Sequence, residues 1–221
     1  MPLNVGLNES MKNEEDHLQR NEAKWDKWAK SFDDESTINN YLRNAQEKLV
    51  SLLDIKENVH FLDVGCGTGW AVGLVAKRVD DKGLFYGIDL SSNMIEKATK
   101  NFQGKENFHF IQANAGDIPL ETDFFDIIIC TNSFHHYPNP EKALREMARL
   151  LKNGGRLYIL DMSADNWFVR VVINRIIKKL QPEYVCLYSS KQFQRLFEQT
   201  GLRYLSSRKI TLTQRAHIGE K

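Results

Sequence analysis

Two rhythms of apolar positions alternate along this chain. From residue 37, Ile38, Tyr41, Leu42, Ala45, Leu49 and Leu52 recur at helical spacing and predict an amphipathic helix. The polar run 54–58 breaks it, and short apolar runs at 59–64, 84–89, 107–112, 126–131 and 156–162 then read as strands. Helical patterns fall between them at 71–79, 93–102 and 140–151. The run DIIICT at 126–131 is apolar at nearly every position, as expected of a strand covered on both faces. Asn139 and Pro140 suit the start of the helix at 140–151, and NGG at 153–155 suits its stop. Ser189 with Gln192 forms a plausible capping box for a helix through Glu198, with Gly201 just beyond. LRYLSS and TLTQRAHI read as two closing strands. Strands alternating with helices predict a mostly parallel sheet with helices on both faces.

Composition narrows the partners more than the fold. At 221 residues the chain can bury a substantial core as one domain. A net charge of +1, from 30 basic and 29 acidic residues, advertises no nucleic-acid binding. Three scattered cysteines suit neither a disulfide framework nor a zinc site, so no metal is expected and a reducing, cytoplasmic setting is. The N-terminus lacks the pattern of a signal peptide, and no uncharged run approaches a membrane span, so no transmembrane segment is expected. The sequon at Asn8 is a chance match.

FLDVGCGTGW, residues 61–70, ends an apolar run with Asp63 and follows it with three glycines in five positions. A phosphate-cradling loop needs Lys followed by Ser or Thr after its last glycine, and Trp70-Ala71 stands there instead. A dinucleotide fingerprint needs glycine at the sixth position for close helix packing, and Trp70 occupies it. The spacing Gly65, Gly67, Gly69 suits close backbone approach to a ligand with an amine and a carboxylate. A tight strand-to-helix turn with no ligand is the alternative. Asp89 ends the next strand about twenty residues past the turn, where a carboxylate can accept both hydroxyl hydrogens of a ribose. A helix-capping role for Asp89 competes, because Ser91 and Asn93 follow.

With these residues in view, LDVGCGTG, GIDLSSNMI, IQANAGDIPL and FDIIICTNSFHHYPNPEKALREMARLLKNGGRLYILD together resemble the class I S-adenosylmethionine-dependent methyltransferases. The similarity is to the broad group like the ubiquinone/menaquinone biosynthesis enzymes, and it runs from about Trp25 to the C-terminus. It implies a Rossmann-like seven-stranded, mostly parallel sheet flanked by helices, with the last strand antiparallel. It also implies S-adenosylmethionine as methyl donor and S-adenosylhomocysteine as product. Carried over, Asp63, Gly65, Cys66, Gly67 and Gly69 would surround the methionine portion, Asp89 the ribose, and Leu90 and Met94 the adenine. Asn114 stands where the family usually has an acid for the adenine amine; its carbonyl can accept that hydrogen more weakly. Ala115 would offer its backbone N–H, Asp117 reads as a loop acid, and Thr131 and Asn132 would mark the reaction centre. Residues 1–36 resemble the family's helical, cofactor-covering segment, with Trp28 and Phe32 closing the site, and residues 37–221 form the catalytic domain. An amphipathic helix packed on the domain is the other reading of that aromatic pair.

Methyl transfer from a sulfonium is an in-line displacement, so positioning matters more than a catalytic triad. The base candidates are His135 and His136 after the fourth strand, with His135 favoured, and His136 and Tyr137 shaping the acceptor pocket. An insert at about 163–188 is expected to roof that pocket, with Trp167 against the acceptor. Its helix carries Trp167, Phe168, Val172, Ile173, Ile176, Ile177 and Leu180, with Arg170, Asn174, Lys178 and Lys179 on another side. It reads as a lid packed on the body or on a second subunit, as a wall for a lipophilic acceptor, or as a helix resting on anionic membrane. The reading favoured overall is a monomeric or homodimeric methyltransferase acting on a small molecule. A methyltransferase of RNA or protein, and a cofactor-binding module without turnover, are the alternatives; a nicotinamide dehydrogenase fails at Trp70.

Overall fold

The computed structural model describes residues 3–30, 37–181 and 183–221. Seven strands, β1 (Val59–Val64), β2 (Gly83–Asp89), β3 (Phe108–Gln112), β4 (Phe125–Thr131), β5 (Leu151–Met162), β6 (Arg203–Lys209) and β7 (Gln214–Glu220), form one sheet in the order β3-β2-β1-β4-β5-β7-β6. β1 to β5 run parallel, and β7 lies antiparallel between β5 and β6.

Alternation along the central strands explains why the sheet is covered on both faces. On β1, Phe61 enters one buried cluster while Leu62 and Val64 enter the other. On β4, Ile127 and Ile129 join Phe61, whereas Ile128 and Cys130 join Leu62. The register Phe61↔Ile127 and Leu62↔Ile128 lines these pairs up across the ladder. Helices α2 (Thr37–Leu52) and α3 (Trp70–Lys77) cover one face; α5 (Pro140–Leu150) and α7 (Ser190–Gln199) cover the other. The remaining helices are α1 (Leu3–Ala29), α4 (Ser92–Asn101) and α6 (Trp167–Leu180).

The expected caps form. Asn139 accepts from the Lys142 N–H with Pro140 in the first turn, and Ser189 and Gln192 make the reciprocal capping box. The NGG segment does something other than stop α5, which already ends at Leu150. β5 begins at once, pairing Leu151 with Phe125, and then skips to Arg156 opposite Ile127. Residues 152–155 are therefore an excursion within the strand, and Gly154 adopts φ 78°, where a side chain would be strained.

The order of strands reverses between β1 and β4, so their carboxyl ends diverge and leave a crevice. The turns after β1, β2, β3 and β4 all open into it.

Candidate active site

The floor of the crevice follows from the glycine turn. Gly65 (φ 79°) and Gly67 (φ 53°) are both left-handed, which lets the chain leave β1 and double back under α3. The Gly65 and Cys66 N–H groups both donate to Ile88 O, at 2.8 and 2.9 Å, tying the turn to β2. A Cβ on Gly65 would lie 2.7 Å from that of Ser133 and 3.3 Å from the Tyr137 hydroxyl, so this glycine serves close approach to the β4 loop. Gly69 departs from expectation. It faces Phe102 and Phe110, where a Cβ would come within 2.9 Å, and does not line the cleft. Trp70 does line it, which is why it need not fit the close helix packing reserved for a sixth-position glycine.

Asp89 ends β2 at the cleft wall. One carboxylate oxygen accepts from the Gly67 N–H and the other from the Ser91 N–H, each at 2.9 Å, leaving further lone pairs for a ligand. Ser91, not Asp89, caps α4 by accepting from the Met94 N–H. Burial raises the Asp89 pKa above the usual carboxylate range, and these backbone donors oppose that rise.

Asp63 lies behind the turn, fully buried and outside the cleft wall. Neither of its oxygens has a hydrogen-bond partner. Desolvation, followed by the charge on Asp89, pushes its pKa up to about 8. Across the turn, the Asn132 amide N–H group is also buried without a partner, while its oxygen accepts from Gln214. Asn132 has φ 57°, a conformation that asparagine tolerates and that aims this side chain at the cleft wall. Thr131 accepts from Gln46 at 2.7 Å.

Leu90, Met94, Ala113, Asn114 and Ala115 line a largely apolar part of the same cleft. The Asn114 oxygen that would receive an adenine amine already accepts from the Gly116 N–H at 2.9 Å, so it offers only its second lone pair. Asp117 is an exposed loop acid.

The histidines part company. His135 does not line the cleft: its Nδ1 lies 2.7 Å from Asp161, which also receives the His135 backbone N–H. It fastens the short 3₁₀ turn Phe134–His136 to β5, and the expectation that it is the base is corrected on that ground. His136 lines the cleft, with Nδ1 donating to Glu183 O at 3.2 Å, so Nε2 carries the lone pair. Desolvation, with the neighbouring His135, depresses its pKa to about 2 and keeps the ring neutral. The Tyr137 hydroxyl lies under the turn, 3.0 Å from Ser133, although the ring borders the cleft.

The roof also differs from expectation. No described residue of 163–188 lines the cleft, and Trp167 is exposed on α6. The roof is made by Leu18, Asn21, Trp25 and Trp28 of α1 and by Asn39, Leu42, Arg43 and Gln46 of α2. Asp26 accepts from Ser91 Oγ and the Asn93 N–H, and Glu22 accepts from Gln112, fixing one end of α1 over β2 and β3. At the other end His17 and Asn21 both bond to the His136 carbonyl. Trp25 meets Trp28 at 5.2 Å and the His136 ring edge-on at 5.1 Å. Trp28 was expected at this roof, and Trp25 joins it. Arg43, whose guanidinium sits 4.5 Å above Trp70, carried no sequence signal. Phe32 lies outside the described residues. The cavity between the turn and this roof is about 140 Å³ and opens to solvent at its mouth.

A reversed-order α/β sheet with an acid-lined crevice beyond its strand ends defines the Rossmann-like ligand-binding class. Residues 55–201 match the model of a methyltransferase-domain family. The chain belongs to that family, among the class I S-adenosylmethionine-dependent methyltransferases. It is 29% identical over 167 residues to an uncharacterized methyltransferase, YcgJ, of Bacillus subtilis, covering 74% of this chain and 65% of that one. The chain thus spans just under two thirds of that relative's length. The crystal structure of YcgJ superposes with a TM-score of 0.68 at 27% identity, over 75% of this chain and 70% of that one. A demethylmenaquinone methyltransferase of Staphylococcus aureus is 28% identical over 210 residues, covering 83% of this chain and 87% of that one. The Aquifex aeolicus SAM-dependent methyltransferase, at 24% identity, shares the fold with a TM-score of 0.69 over 88% of this chain and 97% of that one. No described helix is long and apolar enough to cross a membrane.

Proposed function

We propose that the protein transfers a methyl group from S-adenosylmethionine to a small acceptor that has an apolar body and a hydrogen-bond donor beside its nucleophile. The observation that carries this reading is the Asp89 carboxylate, held open by Gly67 and Ser91 in the same cleft as the Gly65–Gly67 turn. Asp89 would take the ribose hydroxyls. The Asn132 amide, an orphaned donor on the cleft wall, suits the carboxylate of an amino acid tail. Leu90, Met94 and Ala115 would flank the base.

When bound, S-adenosylmethionine supplies a methyl group already activated on a positively charged sulfur. The rest falls to the chain. Trp25 and Trp28 exclude water above the turn, and His136, neutral with its lone pair on Nε2, accepts the donor group of the acceptor and sets its angle. Positioning can lower a barrier by about 7–11 kcal/mol. A base well matched to its task adds roughly 10²–10⁴-fold, and a ring with a pKa of about 2 is poorly matched. Orientation and desolvation therefore carry the reaction.

Calorimetry and thermal melting test the reading. S-adenosylmethionine should raise the melting temperature and NADH should not. Asp89→Asn should weaken binding by about 10- to 100-fold, the worth of one or two charge-assisted hydrogen bonds. Stabilisation by NADH alone sinks the proposal; binding without label transfer to any fraction of a metabolite extract leaves a cofactor-binding module.

A further inference from the structure

We propose that α6 is an interfacial helix that docks the protein on an anionic phospholipid surface. Helix α6 is joined to the body along one face only. Arg170, Ile173, Asn174 and Ile177, spaced as one helical stripe, are half-buried. Asn174 anchors them, its oxygen accepting from the Tyr184 hydroxyl at 2.6 Å and the Leu187 N–H at 2.8 Å. No residue of the helix is fully buried.

The rest of the helix surface is open, with Phe168, Val172 and Ile176 opposite the docked stripe, Arg175 and Lys179 among them, and Trp167 and Leu180 near its two ends. Trp167 and Phe168 are each 68% exposed, Ile176 54% and Leu180 75%. Phe168, Val172 and Ile176 follow one another at intervals of four, on one side of the helix. A soluble surface seldom leaves so many large apolar groups together without a partner.

Charge chooses among partners. The helix WFVRVVINRIIKKL contains four cations and no acid. Arg175, Lys178 and Lys179 are exposed beside the apolar row and form no ion pair among the described residues. Nearby acids are engaged elsewhere: Glu183 pairs with Lys24 at 3.2 Å, and Asp165 accepts from the Ser190 N–H at 2.7 Å. A two-fold contact between copies through this face would set these cations against their own images. An anionic bilayer neutralises them while the apolar row enters the acyl boundary and the long basic side chains reach back to the headgroups. Lys178 shares a groove with Pro138, a residue that also lines the cleft, so a docked surface would lie beside the cleft rim. The docking does not depend on the catalytic reading.

Co-sedimentation of the full chain with sucrose-loaded vesicles tests it. Vesicles of phosphatidylcholine with about one third phosphatidylglycerol should bind it at least tenfold more tightly than phosphatidylcholine alone. Replacing Arg175, Lys178 and Lys179 together by Gln should cost about 100-fold on the anionic vesicles and erase the difference between the two. Phe168→Ser with Ile176→Ser should weaken binding to both by about tenfold or more, with the melting temperature held as evidence of folding. Binding should also shift the tryptophan emission to the blue, and Trp167→Phe should remove that shift. Equal binding to both vesicle types, wild-type binding by these variants, or a concentration-dependent dimer broken by Phe168→Ser in protein that ignores vesicles would overturn the proposal.

Discussion

Replacing Asp63 by Asn should change how stability depends on pH, in a window where little else of note titrates anomalously. Asp63 is fully buried without a partner, and its pKa is about 8 in place of the ordinary 3.8. An acid with a raised folded pKa holds its proton on folding. Its contribution is complete below pH 3.8 and is lost as pH rises through 8. His136 and His217 act in the opposite sense. Burial depresses them to about 2 and about 4, so their contributions are lost as pH falls below the ordinary 6.5. Between pH 6.5 and 8 the Asp63 contribution therefore stands apart from theirs. At about 1.4 kcal/mol per pH unit, it amounts to about 2 kcal/mol over that interval. In a chain of this length that is roughly 4–8 °C of melting temperature. The Asn amide also lacks a partner, and this cost of about 1–3 kcal/mol is the same at every pH. The slope, not the absolute stability, is therefore the quantity to read. Urea titrations of wild type and Asp63→Asn at pH 6.5, 7.25 and 8 should show the wild type losing about 2 kcal/mol more than the variant. Parallel slopes would mean that Asp63 is solvated or paired, and the account of the orphaned acid would be wrong.

Three further outcomes follow from the same geometry. Gly65→Ala should destabilise by about 3 kcal/mol, part from φ 79° and part from collision with Ser133; adding Ser133→Gly should restore the second part, as denaturant midpoints will show, and no restoration removes the collision as the cause. Because His136 is neutral throughout the physiological range, the rate of methyl transfer should show no histidine limb near pH 6.5 attributable to it, while His136→Gln should raise KM for the acceptor more than it lowers kcat. A limb that disappears in His136→Gln would make it a base after all. Asp26→Ala should release α1 from the start of α4, costing about 1–2 kcal/mol in stability and speeding amide exchange in residues 18–28; unchanged exchange there would show that the roof is held by His136 and its partners alone.

Much of the site's floor was legible because it depends on local rules. The nearly unbroken apolar run DIIICT marked a strand covered twice, and β4 indeed sends Ile127 and Ile129 to one core and Ile128 and Cys130 to the other. The turn at Gly65 and the acid at Asp89 sit where strand ends must place them once the sheet is parallel. Trp70 was legible as an exclusion only; that it borders the cleft beneath Arg43 depends on α2, a distant segment.

From the chain alone come the order of strands and helices, the caps of α5 and α7, and the two residues, Gly65 and Asp89, around which the crevice is built, since each follows from spacing within a few turns. Only the tertiary structure decided which histidine meets the cleft. His135 and His136 are adjacent on a 3₁₀ turn, where successive side chains diverge by about 120°, and Asp161, twenty-six residues on along β5, claims the first and leaves the second. The same holds for the roof. In sequence α6 carries the broader apolar face and α1 is mostly polar and charged, yet Asp26, Glu22, Asn21 and His17 bind α1 across the cleft, while Asn174 and the half-buried stripe around it hold α6 outside it. Long-range polar partners, which leave no periodic trace, made that choice.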